Sequence, residues 1–171
     1  MSSFTTDLDI RLLDYAAYLL DVEKNEALPE DLYDGEHWQL NEEFDYEIGV
    51  KGSGKTIHVP KGYITDFASV PKIFWNIFPP TGKYGKAAVI HDYLYSHNGI
   101  FSYKDKDGIW QTEILNRQEC DAEFAVAMIA LRVGWLTRRL MYRGVRVGGG
   151  WTWKNYLKKQ KRVVLDGVHS I

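Results

Sequence analysis

The chain has 171 residues, of which 45% are hydrophobic and 26% charged, and its net charge is −2. These values indicate one globular domain that is long enough to bury its own core. Its single cysteine, Cys120, excludes an intrachain disulfide and a cysteine-based zinc site. The chain lacks both a secretion signal pattern and the roughly 18 apolar residues of a bilayer span, so we expect a soluble protein made in a reducing cytoplasm.

The charge is distributed unevenly along the chain. Residues 1–50 hold fourteen Asp and Glu against two Lys and Arg, whereas residues 132–162 hold ten Lys and Arg and no acid. The two regions could meet within one chain or head to tail in a homo-oligomer. Alternatively, the basic region could contact phosphates or an anionic membrane surface. We favour the first interpretation because a charge run is usually a solvated face, and nucleic acid is disfavoured as a partner.

The first half of the sequence predicts short strands. Residues 7–21 suggest a strand followed by a short helix, and the acidic stretch 22–37 suggests a loop. Alternating apolar and polar residues, or β-branched residues, then predict strands over 38–40, 44–50, 56–59 and 63–67. The strands over 44–50 and 56–59 are expected to form a hairpin across a glycine-rich turn.

Helical spacing of apolar residues begins after residue 68. Predicted helices cover about 69–77, 84–96, 117–133 and 136–147, the last of them stopped by Gly148-Gly149-Gly150. The sequence therefore predicts a single α+β domain over 1–171, with a small antiparallel sheet followed by a three- to four-helix half. Its parts are an acidic N-terminal segment (1–35), a β-rich part (36–67), a helical part (68–150) and a basic tail (151–171).

The stretch from Gly49 to Thr56 matches the phosphate-loop pattern G-x-x-x-x-G-K-[ST]. A phosphate loop requires a helix to begin at its Lys-Thr pair, so that backbone N–H groups and the helix dipole hold the phosphates. Here the β-branched run Thr56-Ile57-His58-Val59 follows and ends at Pro60. A hairpin turn is therefore the better interpretation, and nucleotide hydrolysis is disfavoured.

The sequence His91-Asp92-Tyr93-Leu94-Tyr95 is the strongest candidate for chemistry. In a helix, His91 faces the apolar side, and antiparallel packing of the next helix would bring Asp121 to it. Asp121 would then orient the imidazole as a general base. Asp92, together with Asp66 at the end of a strand, could hold a divalent cation such as calcium or zinc.

These residues also have a purely structural interpretation. A histidine on an apolar helix face is more often a hydrogen-bonded core residue than a catalytic one. Asp66 could cap a helix, and Asp121 could interact favourably with the dipole of a first helical turn. Cys120 falls in an apolar stripe with no activating base in view, so we expect a core residue rather than a nucleophile.

Several ordered motifs resemble a phage and bacterial family called domain of unknown function 1353. They run from about Phe44 to Gly150 and comprise V-P-x-G-x-x-T-D-F-A-S-V-P (59–71), P-T-G-x-Y (80–84), H-D-x-L-Y (91–95) and D-x-x-F-x-x-A-M (121–128). The resemblance implies a phage or prophage origin. It predicts synthesis in the cytoplasm of a bacterial host, with assembly into a virion and other phage structural proteins as partners.

A shorter resemblance is to phospholipase A2. In that family a His-Asp-x-x-Tyr helix follows a glycine-rich calcium loop, and a second Asp lies on a facing helix. The resemblance implies that His91 activates water, Asp92 binds calcium and Asp121 orients the histidine, with residues 80–85 in the place of the calcium loop. This chain departs from the pattern in lacking disulfides and in placing Lys83 in that loop.

Two functions follow from these patterns. One is a metal-assisted hydrolase of an ester or amide of the host envelope, which requires an open cleft at His91. The other is a non-enzymatic virion or assembly protein, in the head or tail. A buried, fully hydrogen-bonded His91 and exposed aromatic residues around Trp151 and Trp153 would favour the second.

Overall fold

The computed structural model describes residues 4, 7–13, 37–67 and 83–168, with side chains as far as 158. Within these ranges the chain has the predicted α+β architecture, with short antiparallel strands first and helices after them. The elements are β1 (Ile10–Leu12), β2 (Trp38–Leu40), β3 (Phe44–Glu47), β4 (Thr56–Val59), β5 (Ile64–Thr65), α1 (Gly85–Ser96), β6 (Ile100–Lys104), β7 (Trp110–Ile114), α2 (Arg117–Ala130) and α3 (Trp135–Val168). The predicted helix over 69–77 lies outside the described residues, and so do residues 14–36, which hold the predicted short helix and all but the last residue of the acidic stretch 22–37.

The N-terminal strands form two small antiparallel sheets. In the first, β2 lies between β1 and β5, with Gln39 opposite both Arg11 and Ile64. In the second, β3 and β4 form the predicted hairpin, with Tyr46 opposite Ile57. Alternation along β3 and β4 buries Phe44, Tyr46, Ile57 and Val59, which places their aromatic and branched side chains in the core.

The glycine-rich stretch between β3 and β4 is a hairpin turn, as predicted. Gly49, Gly52 and Gly54 all have positive φ, which glycine adopts without a steric penalty, and Thr56 begins a strand rather than a helix. The helix that a phosphate loop requires is therefore replaced here by β4.

Helices α1 and α2 pack against each other in the core. Ten of the twelve residues of α1 are buried, including Ala87, Ala88, Ile90 and Leu94. Helix α2 begins with a capping box, because the Asn116 side chain accepts from the N–H of Glu119 and the Glu119 side chain accepts from the N–H of Asn116. Both helices agree with their predicted starts to within one residue, but α2 ends at Ala130 rather than at Val133.

A hairpin of β6 and β7 lies within the segment predicted to be helical. Its two strands pair antiparallel, and Asp107-Gly108 lies in the turn between them, with Gly108 at φ +75°. An Asp-Gly pair between alternating segments is a recognisable hairpin pattern, so the sequence did contain the information. Among the described residues of domain part 68–150, residues 100–114 therefore form a hairpin rather than a helix.

The prediction that three glycines end the last helix at Val147 is wrong. Helix α3 continues through Gly148-Gly149-Gly150 to Val168, so the predicted basic tail is helical as far as that residue. Tertiary packing overrides the low helix propensity of glycine here. A Cβ atom at Gly149 would lie 2.7 Å from the hydroxyl oxygen of Tyr95, so the small residue lets α3 lie close to α1.

Candidate functional site

The packing of α1 on α2 brings His91 and Asp121 together, as the sequence predicted. The Nε2 atom of His91 lies 2.8 Å from Oδ1 of Asp121, and both side chains are buried. An ionised carboxylate only accepts hydrogen bonds, so Nε2–H is the donor and the neutral imidazole carries its proton on Nε2. The contact therefore fixes both the ring orientation and the tautomer.

Asp121 also binds two side chains whose roles the sequence analysis missed. The Tyr95 hydroxyl donates to Oδ1 at 2.5 Å, and Nη1 of Arg146 on α3 donates to Oδ2 at 2.6 Å. Arg117 lies 3.7 Å from Oδ2 and also donates to the Arg146 carbonyl. We call His91, Tyr95, Asp121 and Arg146 the Asp121 network, and it joins all three helices.

Three members of the Asp121 network, His91, Tyr95 and Asp121, are buried, whereas the side chain of Arg146 is 30% exposed. His91 is 2% exposed, and its ring packs between those of Tyr95 and Phe124, at centroid distances of 4.1 and 5.0 Å. Burial lowers the pKa of His91 despite the opposing effect of Asp121. Burial alone would raise the pKa of Asp121, but hydrogen bonds from His91, Tyr95 and Arg146 hold it below its ordinary value. The result is a neutral imidazole beside a carboxylate that is paired with arginine.

Asp92 belongs to a different environment from the Asp121 network. Its Oδ2 atom accepts a hydrogen bond from Thr65 at the end of β5, at 2.5 Å, which ties α1 to the first sheet. Burial and the nearby Asp92 carboxylate raise the pKa of Tyr63 well above its usual value, and Asp66 contributes a smaller increase. Asp66 itself is exposed. Asp92 and Asp66 therefore lie on the sheet side of α1, around Tyr63.

The cation site predicted at Asp92 and Asp66 remains a prediction. In the ranges that the structure describes, no group of three or more His, Cys, Asp or Glu side chains is arranged to hold a metal ion. Residues 80–82 of the proposed calcium loop lie outside those ranges.

Cys120 lies in the core, as predicted. Its side chain is fully buried, and burial raises the pKa of the thiol to about 12. A thiol with such a pKa is almost entirely protonated at neutral pH, and the thiolate is the nucleophilic form. Cys120 is therefore a packing residue of α2.

The surface of α3 exposes large apolar side chains. Trp151 is 75% exposed, whereas Trp153 is partly buried and packs its edge against Tyr95. Single exposed apolar residues are common, but a tryptophan this accessible is unusual on a surface that has no partner.

A comparison with family models identifies the relatives of this chain. The model described as "Protein of unknown function (DUF1353)" matches residues 38–145, which include β2 to β7, α1, α2 and, of the Asp121 network, His91, Tyr95 and Asp121 but not Arg146. The chain belongs to the DUF1353 family. Searches of curated proteins and of solved structures gave no match. None of the helices in the described ranges is long and apolar enough to cross a membrane.

Proposed function

We propose that this DUF1353 chain is a non-enzymatic phage-type protein that acts in virion assembly by binding neighbouring protein surfaces. The observation that carries the proposal is the 2% exposure of His91. A general base must reach the proton that it removes, directly or through one water molecule. The imidazole here is instead enclosed by Tyr95, Phe124 and Asp121.

On this proposal the Asp121 network is a structural centre. A buried carboxylate is costly unless it is paired and hydrogen-bonded, and Asp121 accepts from a histidine, a tyrosine and an arginine. These donors come from α1 and α3, so the network fixes how the helices pack. The exposed aromatic and basic surface of α3 then supplies the binding face. The protein would be made in the bacterial host cytoplasm and act within the particle.

A second candidate, the metal-assisted hydrolase, is favoured by one observation. The last tyrosine of the H-D-x-x-Y motif, Tyr95, donates to the same Asp121 oxygen that His91 contacts. An imidazole held through Nε2 and kept neutral by burial has the protonation state of a general base. Asp92 and Asp66 would then hold calcium or zinc on the other side of α1.

Calorimetry with calcium and with zinc separates the two candidates. We would titrate the wild-type chain and Asp92→Ala, with Asp107→Ala as an exposed carboxylate control. A chromogenic ester would be added to the wild type and to His91→Gln, whose amide N–H can replace the donor at Nε2. Circular dichroism would establish that every variant is folded.

The assembly proposal expects no metal binding in the wild type and equal ester hydrolysis in the wild type and His91→Gln. Metal binding that Asp107→Ala retains and folded Asp92→Ala loses would overturn it. Hydrolysis that disappears in folded His91→Gln would do the same. Either result would assign the hydrolase function.

A further inference from the structure

Four apolar residues form an exposed line along α3. Leu136, Leu140, Val147 and Trp151 are 55%, 38%, 88% and 75% exposed. At 3.6 residues per turn they fall within roughly 60° of one another around the helix axis and extend over about 22 Å. We call these four residues the α3 stripe. Single exposed apolar residues are common on protein surfaces, but a continuous line of four is not.

The other face of α3 is already used within the chain. Met141 and Val145 are buried in the core, and Gly149 packs against Tyr95. These positions lie on the side of the helix opposite the α3 stripe. The stripe therefore points away from α1 and α2 and is available to a partner.

Basic side chains lie beside the α3 stripe. The exposed residues Arg139, Arg143, Lys154 and Lys158 fall on or next to the same line. The region from 132 to 162 has ten basic residues and no acid, and Arg146 among them is paired with Asp121 on α2. A matching partner would offer apolar side chains flanked by carboxylates.

The same sequence contains such a partner in residues 14–36. This segment has eight Asp and Glu against one Lys, a net charge of 1 − 8 = −7, and it includes the apolar run 15–20 (Tyr-Ala-Ala-Tyr-Leu-Leu). Its flanking residues are held together on the first sheet, where the Leu13 N–H donates to the His37 carbonyl at 2.8 Å. The two residues that flank segment 14–36 therefore lie next to each other.

From this complementarity we infer that the α3 stripe binds the acidic segment 14–36 of a second copy of the same chain, head to tail. A second copy is favoured over a bilayer because one chain supplies both surfaces, and their opposite charges leave a total of only −2. A head-to-tail contact repeats from copy to copy, which produces a ring or an open filament. The inference rests on the proposed assembly function, because it names a partner for that function.

Charge reversal in the full-length chain tests the inference. The stripe-reversed variant carries Arg139→Glu, Arg143→Glu and Lys154→Glu. The segment-reversed variant carries Glu30→Lys, Asp31→Lys and Asp34→Lys. The control variant carries Lys51→Glu, Lys104→Glu and Lys106→Glu, which make the same charge change on other exposed surfaces. Sedimentation at low and high salt gives the association constant, and circular dichroism monitors folding.

We expect the wild type and the control variant to associate, more strongly at low salt because the charges are exposed. Each reversed variant alone should associate at least roughly tenfold more weakly, since like charges then face each other. An equimolar mixture of the two reversed variants should recover association, because each supplies the surface that the other lacks. Recovery in the mixture is a result that contact within a single chain cannot produce.

Three results would overturn the inference. They are a wild type that stays monomeric at low salt, a mixture that associates no better than its components, and a control variant that loses association like the others. A monomeric wild type that binds vesicles of phosphatidylserine and phosphatidylcholine, but not pure phosphatidylcholine, would assign the stripe to a membrane. The assembly proposal is tested separately, by metal binding and ester hydrolysis. The inference about the α3 stripe can therefore fail while the assembly proposal stands.

Discussion

Asp121 on α2 accepts hydrogen bonds from side chains of α1 and α3. The contribution of its ion pair with Arg146 to the free energy of unfolding can be measured directly. The two atoms are 2.6 Å apart, and Asp121 is fully buried. We predict that Asp121→Asn and Arg146→Gln each destabilise the chain, and that the double variant costs less than the sum. The coupling energy should be about 1–3 kcal/mol, as for contacting charged groups.

Urea unfolding of the two single variants and the double variant measures this coupling. Arg143→Gln, an exposed arginine one turn away on α3, is the control and should change the free energy of unfolding by less than about 0.5 kcal/mol. Additive effects of the two substitutions would mean that the ion pair does not contribute to stability.

His91 should make the stability of the fold depend on pH. Burial lowers its pKa below 6.5 in the folded chain, so the unfolded chain takes up a proton first as the pH falls. Stability is therefore lost below about pH 6.5, at up to about 1.4 kcal/mol per pH unit, until the folded pKa is reached. The lowered pKa of Asp121 adds a loss only at more acidic pH, below its usual value of 3.8.

Thermal unfolding between about pH 7 and pH 5 tests this dependence. The midpoint of the wild type should fall over this range, and that of His91→Gln should fall less. His97→Gln, which changes an exposed histidine at the end of α1, is measured beside it as a second histidine substitution. Equal slopes in the wild type and His91→Gln would exclude His91 as the origin.

At the scale of elements, the glycine run 148–150 of α3 offers a matched pair of substitutions. A Cβ atom at Gly148 meets nothing within 4 Å, whereas one at Gly149 lies 2.7 Å from the Tyr95 hydroxyl oxygen. Gly148→Ala should stabilise the chain by about 0.5–1 kcal/mol through helix propensity. Gly149→Ala should instead cost about 1–3 kcal/mol, because Asp121 and Trp153 hold the tyrosine ring in place.

Removing the Tyr95 hydroxyl provides the check on this explanation. In a Tyr95→Phe background the alanine at position 149 gains space, so Gly149→Ala should cost less there than in the wild type. Urea unfolding of the four chains gives the comparison. An unchanged cost would mean that close packing on Tyr95 is not the reason for the glycine.

The connection between α1 and β6 requires a glycine at position 99. Its φ is +76°, and a Cβ atom there would overlap the Leu115 carbonyl oxygen, at a separation much shorter than van der Waals contact. A Cβ atom at Gly108, where φ is +75°, would have nothing within 4 Å. A side chain there has the same unfavourable backbone conformation as at Gly99 but no clash. We predict that Gly108→Ala folds with a loss of about 1–2 kcal/mol, whereas Gly99→Ala accumulates as unfolded protein. Equal stability of the two variants by circular dichroism would contradict the clash.

The elements also show which contacts of the site could be predicted from the sequence alone. Periodic apolar residues predicted α1 and α2, and the packing of those helices was enough to place Asp121 at His91. The contribution of Arg146 could not be predicted, because it depends on the course of α3 through three glycines. Helix propensity argues against that course, and the close approach of Tyr95 accounts for the glycine at position 149. The cation site at Asp92 and Asp66 stays a prediction.

At the scale of the whole molecule, Glu123 links the β3–β4 sheet to the helices. Its Oε1 atom accepts from the Tyr46 hydroxyl at 2.5 Å and from the Gly49 N–H at 2.8 Å, so α2 holds both β3 and its turn. Glu123 is buried, and its removal leaves the tyrosine hydroxyl without this acceptor. Glu123→Ala should therefore destabilise the chain by about 1–3 kcal/mol.

If the chain is one domain, as its length predicts, this loss should appear in both halves at once. Hydrogen exchange of the β3–β4 hairpin and of α1 should increase together in Glu123→Ala, because both are protected by the same global unfolding. Glu42→Ala, which removes an exposed surface ion pair with Lys61, should leave both unchanged. Faster exchange in the hairpin alone would show that the sheet opens independently of the helices, and the two halves would then be separate cooperative units.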